Sequence, residues 1–154
     1  MIEQIKDVLK NSKTIAMIGV SSLKKKEDPK NLKRKPSAIV MKYMQDFGYK
    51  VIPVNPFAVG ELIHGETVVA ALKDINIPID IVDVFRPSKE TPNIAEQAVN
   101  IKAKTLWLQY GIHHEDAKKI ATEVNMNYFE NLCIKQEYQK IFLNMSPVFP
   151  VLKS

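Results

Sequence analysis

The sequence has a single cysteine, Cys133, and no long apolar run. One cysteine cannot form an internal disulfide, which fits a reducing compartment. A membrane-spanning helix needs about 18–20 consecutive apolar residues, and no window approaches that length. The first residues, MIEQIKDVLKNSK, carry scattered charges and lack the apolar centre of a signal peptide. We therefore expect a cytoplasmic protein without a membrane partner.

Acidic residues are outnumbered, 17 against 22 basic ones, and the net charge is +5. Seven of the basic residues lie between Lys24 and Lys35, where only Glu27 and Asp28 oppose them. Such a cluster is either a solvated loop or a site for phosphate groups. Binding of nucleic acid through this segment is the weaker alternative, because no nucleic-acid-binding motif accompanies it.

Length and composition are those of one globular domain, with 154 residues, 45% of them apolar and 25% charged. We assign residues 1–143 to the domain and residues 144–154, which include Pro147 and Pro150, to an extended tail.

Short apolar segments alternate with segments of helical spacing. Strands are predicted at Thr14–Ile18, Val51–Val54, Ile79–Phe85 and Thr105–Leu108, with a weaker fifth near Asn127–Glu130. Helices are predicted around Ile2–Leu9 and Ile39–Phe47, at Val68–Ile75, Thr91–Lys102 and Glu115–Val124, and at Ile134–Phe142. This alternation predicts an α/β fold, a Rossmann-like doubly wound parallel sheet of about five strands flanked by helices.

Ligands of such sheets bind beyond the carboxyl ends of the strands. The first predicted strand is followed by Gly19, by the hydroxyls of Ser21 and Ser22, and then by the basic segment. Pro36 suits the first turn of the next helix, whose N-terminus adds partial positive charge. The basic segment therefore lies where this fold binds anions, which favours a phosphorylated ligand.

A nicotinamide dinucleotide is the main rival ligand. Its fingerprint, G-x-G-x-x-G followed by an acidic residue about 20 residues later, is missing. Gly19 stands alone, and the second predicted strand ends in Asn55-Pro56. NAD is disfavoured, whereas NADP stays possible because the basic residues suit its 2′-phosphate. Coenzyme A, with its pyrophosphate and 3′-phosphate, matches the density of positive charge better.

Several motifs in order resemble the CoA-binding domain family, in particular its small stand-alone YccU-like members. They are IAMIGVSS (15–22), YKVIPVNP (49–56), DIVDVFR (80–86), LWLQYGI (106–112) and ENLCIK (130–135). The chain is similar in the same way to the N-terminal domain of the succinyl-CoA synthetase alpha subunit. The phosphorylated histidine of that subunit belongs to a second domain, so the likeness does not imply synthetase activity.

The resemblance implies a CoA site at the strand ends. Gly19, Ser21 and Ser22 would contact the phosphates, with Arg34, Lys35 and Ser37 reaching in from the basic segment and the helix start. Asn55 and Pro56 would border the nucleotide, and Phe85 and Arg86 would line the next strand end. Gln109 and Gly111 would lie near the pantetheine arm.

The remaining polar candidates have structural interpretations. Asp80 and Asp83 are expected to share one face of their strand and to cap or pair at its edge, and Cys133 to be a small buried side chain. No metal site and no catalytic pair are evident. A CoA or acyl-CoA binding module is therefore favoured over an enzyme or subunit that acts on a CoA thioester. The sequence leaves open a homo-oligomer or a partner subunit.

Overall fold

The computed structural model describes residues 1–24 and 36–144. Its helices are α1 (Ile2–Asn11), α2 (Pro36–Asp46), α3 (Thr91–Asn100), α4 (Glu115–Glu123) and α5 (Ile134–Phe142). Its strands are β1 (Thr14–Ile18), β2 (Lys50–Val54), β3 (Leu62–Ile63), β4 (Glu66–Thr67), β5 (Ile81–Val84), β6 (Thr105–Leu108) and β7 (Asn127–Phe129). A bilayer-spanning helix is absent from these residues. The predicted tail lies, apart from Asn144, outside them.

The main sheet is parallel and has the strand order β2-β1-β5-β6-β7, while β3 and β4 form a separate hairpin. The chain runs from β1 outward to β2 and then returns past β1 to β5. The direction of winding therefore reverses between β1 and β5, which makes their carboxyl ends the switch point of the sheet. The predicted Rossmann-like fold with five parallel strands, including the weak fifth strand, is confirmed.

Both faces of the sheet are covered. Helices α1, α2 and α5 pack on one face, where Ile15 and Met17 of β1 point. Helices α3 and α4 pack on the other face, over Ala16 and Ile18. Because side chains alternate along a strand, one apolar strand supplies two cores, and its sequence is a continuous apolar run.

The segment Val68–Ile75 is not the predicted helix. The N–H of Val68 donates to the carbonyl of Glu61 at 2.9 Å, and that of Val69 to the carbonyl of Pro53 at 3.0 Å. The chain is thus held extended along the end of β2, and only Leu72–Asp74 forms a 3-10 turn. Long-range backbone pairing overrides the local spacing that favoured a helix.

Asp80 and Asp83 do not share a face, so that expectation was wrong. Asp80 precedes β5 and accepts hydrogen bonds from the backbone N–H groups of Lys13 at 2.7 Å and Thr14 at 3.2 Å. Asp83 lies within β5 and is fully buried. Positions three residues apart in a strand face opposite ways. Asp80 is therefore the expected cap at the strand edge, and Asp83 is a core residue.

Candidate ligand site at the carboxyl edge of the sheet

Gly19 sits at the switch point, where the backbones after β1 and β5 nearly touch. Its N–H donates to the carbonyl of Val54 at 2.9 Å, and the N–H of Phe85 donates to that of Ile18 at 2.8 Å. Gly19 has a φ of 90°, and a Cβ atom there would lie 2.5 Å from the Phe85 carbonyl oxygen. Only glycine satisfies both the positive φ and this close approach.

The turn after β1 is bonded to the first turn of α2. The N–H of Ser21 donates to Oγ of the buried Ser37 at 2.9 Å. The amino end of α2, whose first N–H groups have no acceptor within the helix and carry the positive end of its dipole, therefore lies at this turn. The hydroxyl of the next residue, Ser22, donates to Glu61 at 2.6 Å. That bond, together with one from the Leu23 N–H, lowers the pKa of the Glu61 carboxyl.

A first cavity of about 490 Å³ lies beyond the ends of β1 and β2, beside α3. Its strand-end walls come from Gly19, Val54, Asn55, Pro56 and Phe57. Asn93 and Gln97 contribute polar groups from α3, and Arg86, Lys89 and Glu90 bring charge. This mixture of apolar surface and a few convergent polar groups is typical of small-molecule sites.

Asn55, in the lining of the first cavity, is held by two hydrogen bonds. Its Nδ2 donates to the carbonyl of Val20 at 2.9 Å, and its Oδ1 accepts from the N–H of Phe57 at 2.9 Å. The amide thus joins the turns that follow β1 and β2. The Phe57 ring is left 81% exposed at the cavity wall, where a flat heterocycle could stack on it.

A second cavity, of about 720 Å³, lies beyond β5 and β6, between the amino ends of α2 and α5. Its walls are largely apolar and include Val40, Phe85, Pro87 and Ile112. Cys133 also lines it, at the N-cap of α5. Burial raises the pKa of the Cys133 thiol, although backbone N–H groups of α5 act in the other direction. The thiol is therefore neutral at ordinary pH.

Gln109 lines the second cavity and is buried. Its Nε2 donates to both carboxyl oxygens of Asp83, at 2.7 and 2.8 Å, and its Oε1 accepts from the N–H of Ile134 at 3.2 Å. One amide therefore connects β5, β6 and the first residue of α5. This network fixes the position of the α5 N-terminus at the cavity.

Arg86 belongs to the walls of both cavities. Its guanidinium group makes a two-point bond to Glu90, with Nε–Oε1 at 3.1 Å and Nη2–Oε2 at 2.8 Å. The bond to Arg86 holds the pKa of Glu90 below its ordinary value, although slight burial opposes this shift. The guanidinium group therefore lies at both cavities while a carboxylate neutralises its charge.

Most of the residues predicted from the sequence gather at this edge. Gly19, Asn55, Pro56 and Arg86 line the first cavity, Phe85, Arg86 and Gln109 line the second, and Ser21 and Ser37 form the turn near both. Gly111 follows β6 outside both linings, where its N–H donates to Asn131 Oδ1 at 2.6 Å. Arg34 and Lys35 lie outside the described residues.

Phe57 and the α3 residues Asn93 and Gln97 were not foreseen. Phe57 directly follows the Asn55-Pro56 strand end, so its position was a usable signal. The two α3 side chains lie nine and 13 residues after the end of β5 at Val84, and only the packing of α3 beside β1 brings them to the cavity. Cys133 was expected in the interior and instead forms part of a cavity wall.

The parallel sheet with a crevice at its switch point defines a Rossmann-like ligand-binding domain. The chain belongs to the CoA-binding domain family, since the family described as CoA binding domain matches residues 13–139. The resemblance found in the sequence is confirmed.

Relatives extend over most of the chain. The uncharacterized protein YneT of Bacillus subtilis (strain 168) is 39% identical over 132 residues, which cover 86% of this chain and 90% of YneT. A solved structure from Thermus thermophilus has a TM-score of 0.80 and 32% identity, covering 92% of this chain and 99% of its own. A hypothetical protein from Pyrococcus horikoshii OT3 has a TM-score of 0.79 and 32% identity, covering 92% of both chains.

Proposed function

We propose that the chain binds coenzyme A, with the nucleotide in the first cavity and the phosphates at the turn after β1. The bond from the Ser21 N–H to Ser37 Oγ carries this proposal, because it brings the amino end of α2 beside Gly19 at the switch point. Helix N-termini and backbone N–H groups are favourable sites for phosphate. Membership of the CoA-binding domain family supports the same ligand.

The proposed contacts follow the shape of the ligand. Asn55, Pro56 and the exposed ring of Phe57 border the adenine, and base–aromatic stacking contributes about 1–3 kcal/mol. From the first cavity the ligand passes Arg86, which both cavities share, and the end of the pantetheine arm reaches the second cavity beside Phe85 and Gln109. Gly111 is proposed to lie beside the same pantetheine arm.

Cations complete the phosphate site. Arg86 and Lys89 are the cations that the described residues place on the first cavity. We assign Arg34 and Lys35, from the basic segment, to the 3′-phosphate. The hydrogen bond from Ser22 to Glu61 stabilises the chain at the start of that segment. A charge-assisted hydrogen bond contributes about 1.5–3 kcal/mol.

Calorimetric titration with CoA, dephospho-CoA, NADP and ATP tests the proposal. Micromolar binding of CoA is expected, with about tenfold or more weaker binding of dephospho-CoA, because one charge-assisted contact or more is lost. Binding of NADP without binding of CoA would overturn the proposal and leave a Rossmann-like domain with another dinucleotide.

A pair of double variants assigns the 3′-phosphate. Arg34→Ala with Lys35→Ala should weaken binding of CoA but leave binding of dephospho-CoA nearly unchanged. Lys6→Ala with Lys10→Ala, on exposed positions of α1, removes the same charge outside the linings of both cavities. The α1 pair should leave both affinities unchanged, and an equal loss in both double variants would mean that net charge alone matters.

A further inference from the structure

The second cavity is larger and less polar than the first. It measures about 720 Å³ against about 490 Å³, and Val40, Phe85, Pro87 and Ile112 give it apolar walls. The pantetheine arm carries two amides, a hydroxyl and a thiol, and it needs polar partners along its length. A cavity with such walls at the end of that arm suits an aliphatic group.

The few polar groups of this cavity are almost all neutral or neutralised. Arg86 is the one cation among the described lining residues, and Glu90 binds its guanidinium group at two points. The Cys133 thiol is protonated, because burial raises its pKa. A carboxylate at the end of a ligand would therefore find no unpaired cation on the described walls.

The side-chain amide of Gln109 has a second N–H group beyond the one that Asp83 uses. The two carboxyl oxygens of Asp83 lie in nearly the same direction from Nε2 of Gln109. The two N–H bonds of a primary amide, in contrast, point in clearly different directions. One N–H therefore serves both oxygens, and among the described residues nothing accepts from the second N–H. An unpaired donor of a buried side chain at a cavity wall favours a ligand with a carbonyl oxygen.

We propose that the second cavity binds the acyl group of an acyl-CoA whose acyl group is uncharged. In this complex the thioester carbonyl oxygen accepts a hydrogen bond from the second N–H of Gln109. The chain accordingly selects acyl-CoA over free CoA. This inference rests on the proposed CoA binding, and it adds the class of ligand and the residue that recognises the thioester.

Titration with CoA, acetyl-CoA, butyryl-CoA, hexanoyl-CoA and succinyl-CoA tests the inference. Affinity should rise along the straight-chain series by about fourfold for each buried methylene. Succinyl-CoA, of the same chain length as butyryl-CoA, should bind about tenfold or more weaker than butyryl-CoA because its carboxylate is desolvated without a partner. Equal affinities for CoA and hexanoyl-CoA would overturn the inference and keep the proposed function, whereas failure of every CoA compound to bind would overturn both.

Filling the cavity gives a structural control. Ile112→Trp should abolish the advantage of hexanoyl-CoA over CoA, so the ratio of the two affinities should fall to about one. Pro87→Trp, at an exposed wall position, should reduce the same advantage without altering the core. Val124→Trp places the same ring at the exposed C-cap of α4 and should leave both affinities unchanged.

Cys133 reports on the cavity directly, because it is the only cysteine of the chain. Its alkylation by iodoacetamide should slow when the protein is saturated with CoA and slow by about a further tenfold or more with hexanoyl-CoA, since the acyl chain covers the wall that carries the thiol. Equal rates with the two saturating ligands would place the acyl group elsewhere and overturn the inference.

Discussion

The side chains of Gln109 and Asp83 are bonded across neighbouring strands, with Nε2 of Gln109 at 2.7 and 2.8 Å from the two carboxyl oxygens. Asp83 is fully buried, and none of the ion pairs among the described residues involves it. Burial raises its pKa to about 8, although the bonds from Gln109 and from the backbone N–H of Val84 act to lower it. Asp83 therefore keeps its proton in the folded protein at neutral pH.

Titration of Asp83 should make the protein less stable as the pH rises. Between about pH 4 and about pH 8 the folded state holds a proton on Asp83 that the unfolded state has released, so a higher pH favours unfolding. The contribution to the free energy of unfolding falls by up to about 1.4 kcal/mol per pH unit in this window. Asp83→Asn still accepts a bond from Gln109 but does not titrate. Urea unfolding across the window should show a shallower decline in the variant, and identical declines would contradict the prediction.

Asp80 serves as a control, because its titration should change the stability of the protein with pH in the opposite direction. Its partial burial acts to raise its pKa, but the bonds from Lys13 and Thr14 and the charge of Lys104 together hold the pKa below the ordinary value. The folded state therefore binds this proton less readily than the unfolded state does. Asp80→Asn should destabilise the protein at neutral pH, and the loss should fade as the pH falls below about 4.

Removal of the Gln109 amide should destabilise the protein markedly. Gln109→Leu removes the side-chain partner of the buried Asp83 carboxyl and leaves the N–H of Ile134 without its acceptor, at about 1–3 kcal/mol each. Asp83→Leu in the same chain removes one of these groups. The double variant should therefore be more stable than the sum of the two single losses predicts, as measured by denaturant unfolding in a double-mutant cycle. Strict additivity would mean that the two side chains are not coupled.

The fold could be predicted because its strands are buried on both faces and carry that burial as apolar runs. Thr14–Ile18 and Thr105–Leu108 are strands with the predicted bounds. The helix predicted for Val68–Ile75 was wrong, because Val68 and Leu72 have helical spacing yet belong to cores on opposite faces of the sheet. The partners of this segment, Glu61 and Pro53, are chosen by the path of the chain and not by local spacing.

The site could be located from the strand ends, but its bonding could not. The rule for parallel sheets places Gly19, Asn55, Phe85 and Gln109 at one edge. It does not show which of their polar groups are already used, because the partners come from distant segments. Gln109, for example, meets Asp83 26 residues earlier in the chain.

Replacement of Gly19 should separate backbone strain from steric overlap. Gly19→Ala must accept a φ of 90° and place Cβ 2.5 Å from the Phe85 carbonyl oxygen, so the ends of β1 and β5 must move apart. Gly48→Ala has a similar φ of 99° with no atom within 4 Å of the added Cβ, and it should cost only about 1–2 kcal/mol. Gly19→Ala should cost more and also abolish CoA binding, as measured by thermal unfolding and calorimetry. Equal costs would mean that the close approach is relieved without consequence.

Ser37 is expected to act on binding through the position of the Ser21 turn. Ser37→Ala removes the acceptor of the Ser21 N–H, a bond worth about 1 kcal/mol. We expect about fivefold weaker binding of CoA in calorimetry. Ser12→Ala, at the C-cap of α1 and so at the amino edge of the sheet, should leave the affinity unchanged. An unaltered affinity in Ser37→Ala would show that the turn needs no such support.

Glu90 should weaken the binding of CoA, because it occupies the guanidinium group of Arg86. The pair is partly exposed, with 41% and 39% of the two side chains accessible, so the bond itself contributes about 0.2–1 kcal/mol. A phosphate or thioester group that approaches Arg86 must compete with that bond. Glu90→Gln should therefore tighten binding of CoA by about twofold to fivefold, and Arg86→Ala should weaken it.

The comparison with a second ion pair separates release of Arg86 from a simple change in net charge. Lys42 and Asp46 form an exposed pair with the same i,i+4 spacing on α2. Asp46→Asn removes the same negative charge as Glu90→Gln. The cation that it frees, Lys42, lines neither of the two cavities proposed for the ligand. The gain should appear only in Glu90→Gln and should shrink as salt is added, since a partly exposed arginine is screened. An equal gain in both variants would show that Arg86 does not contact the ligand and that the charge of the whole domain attracts it.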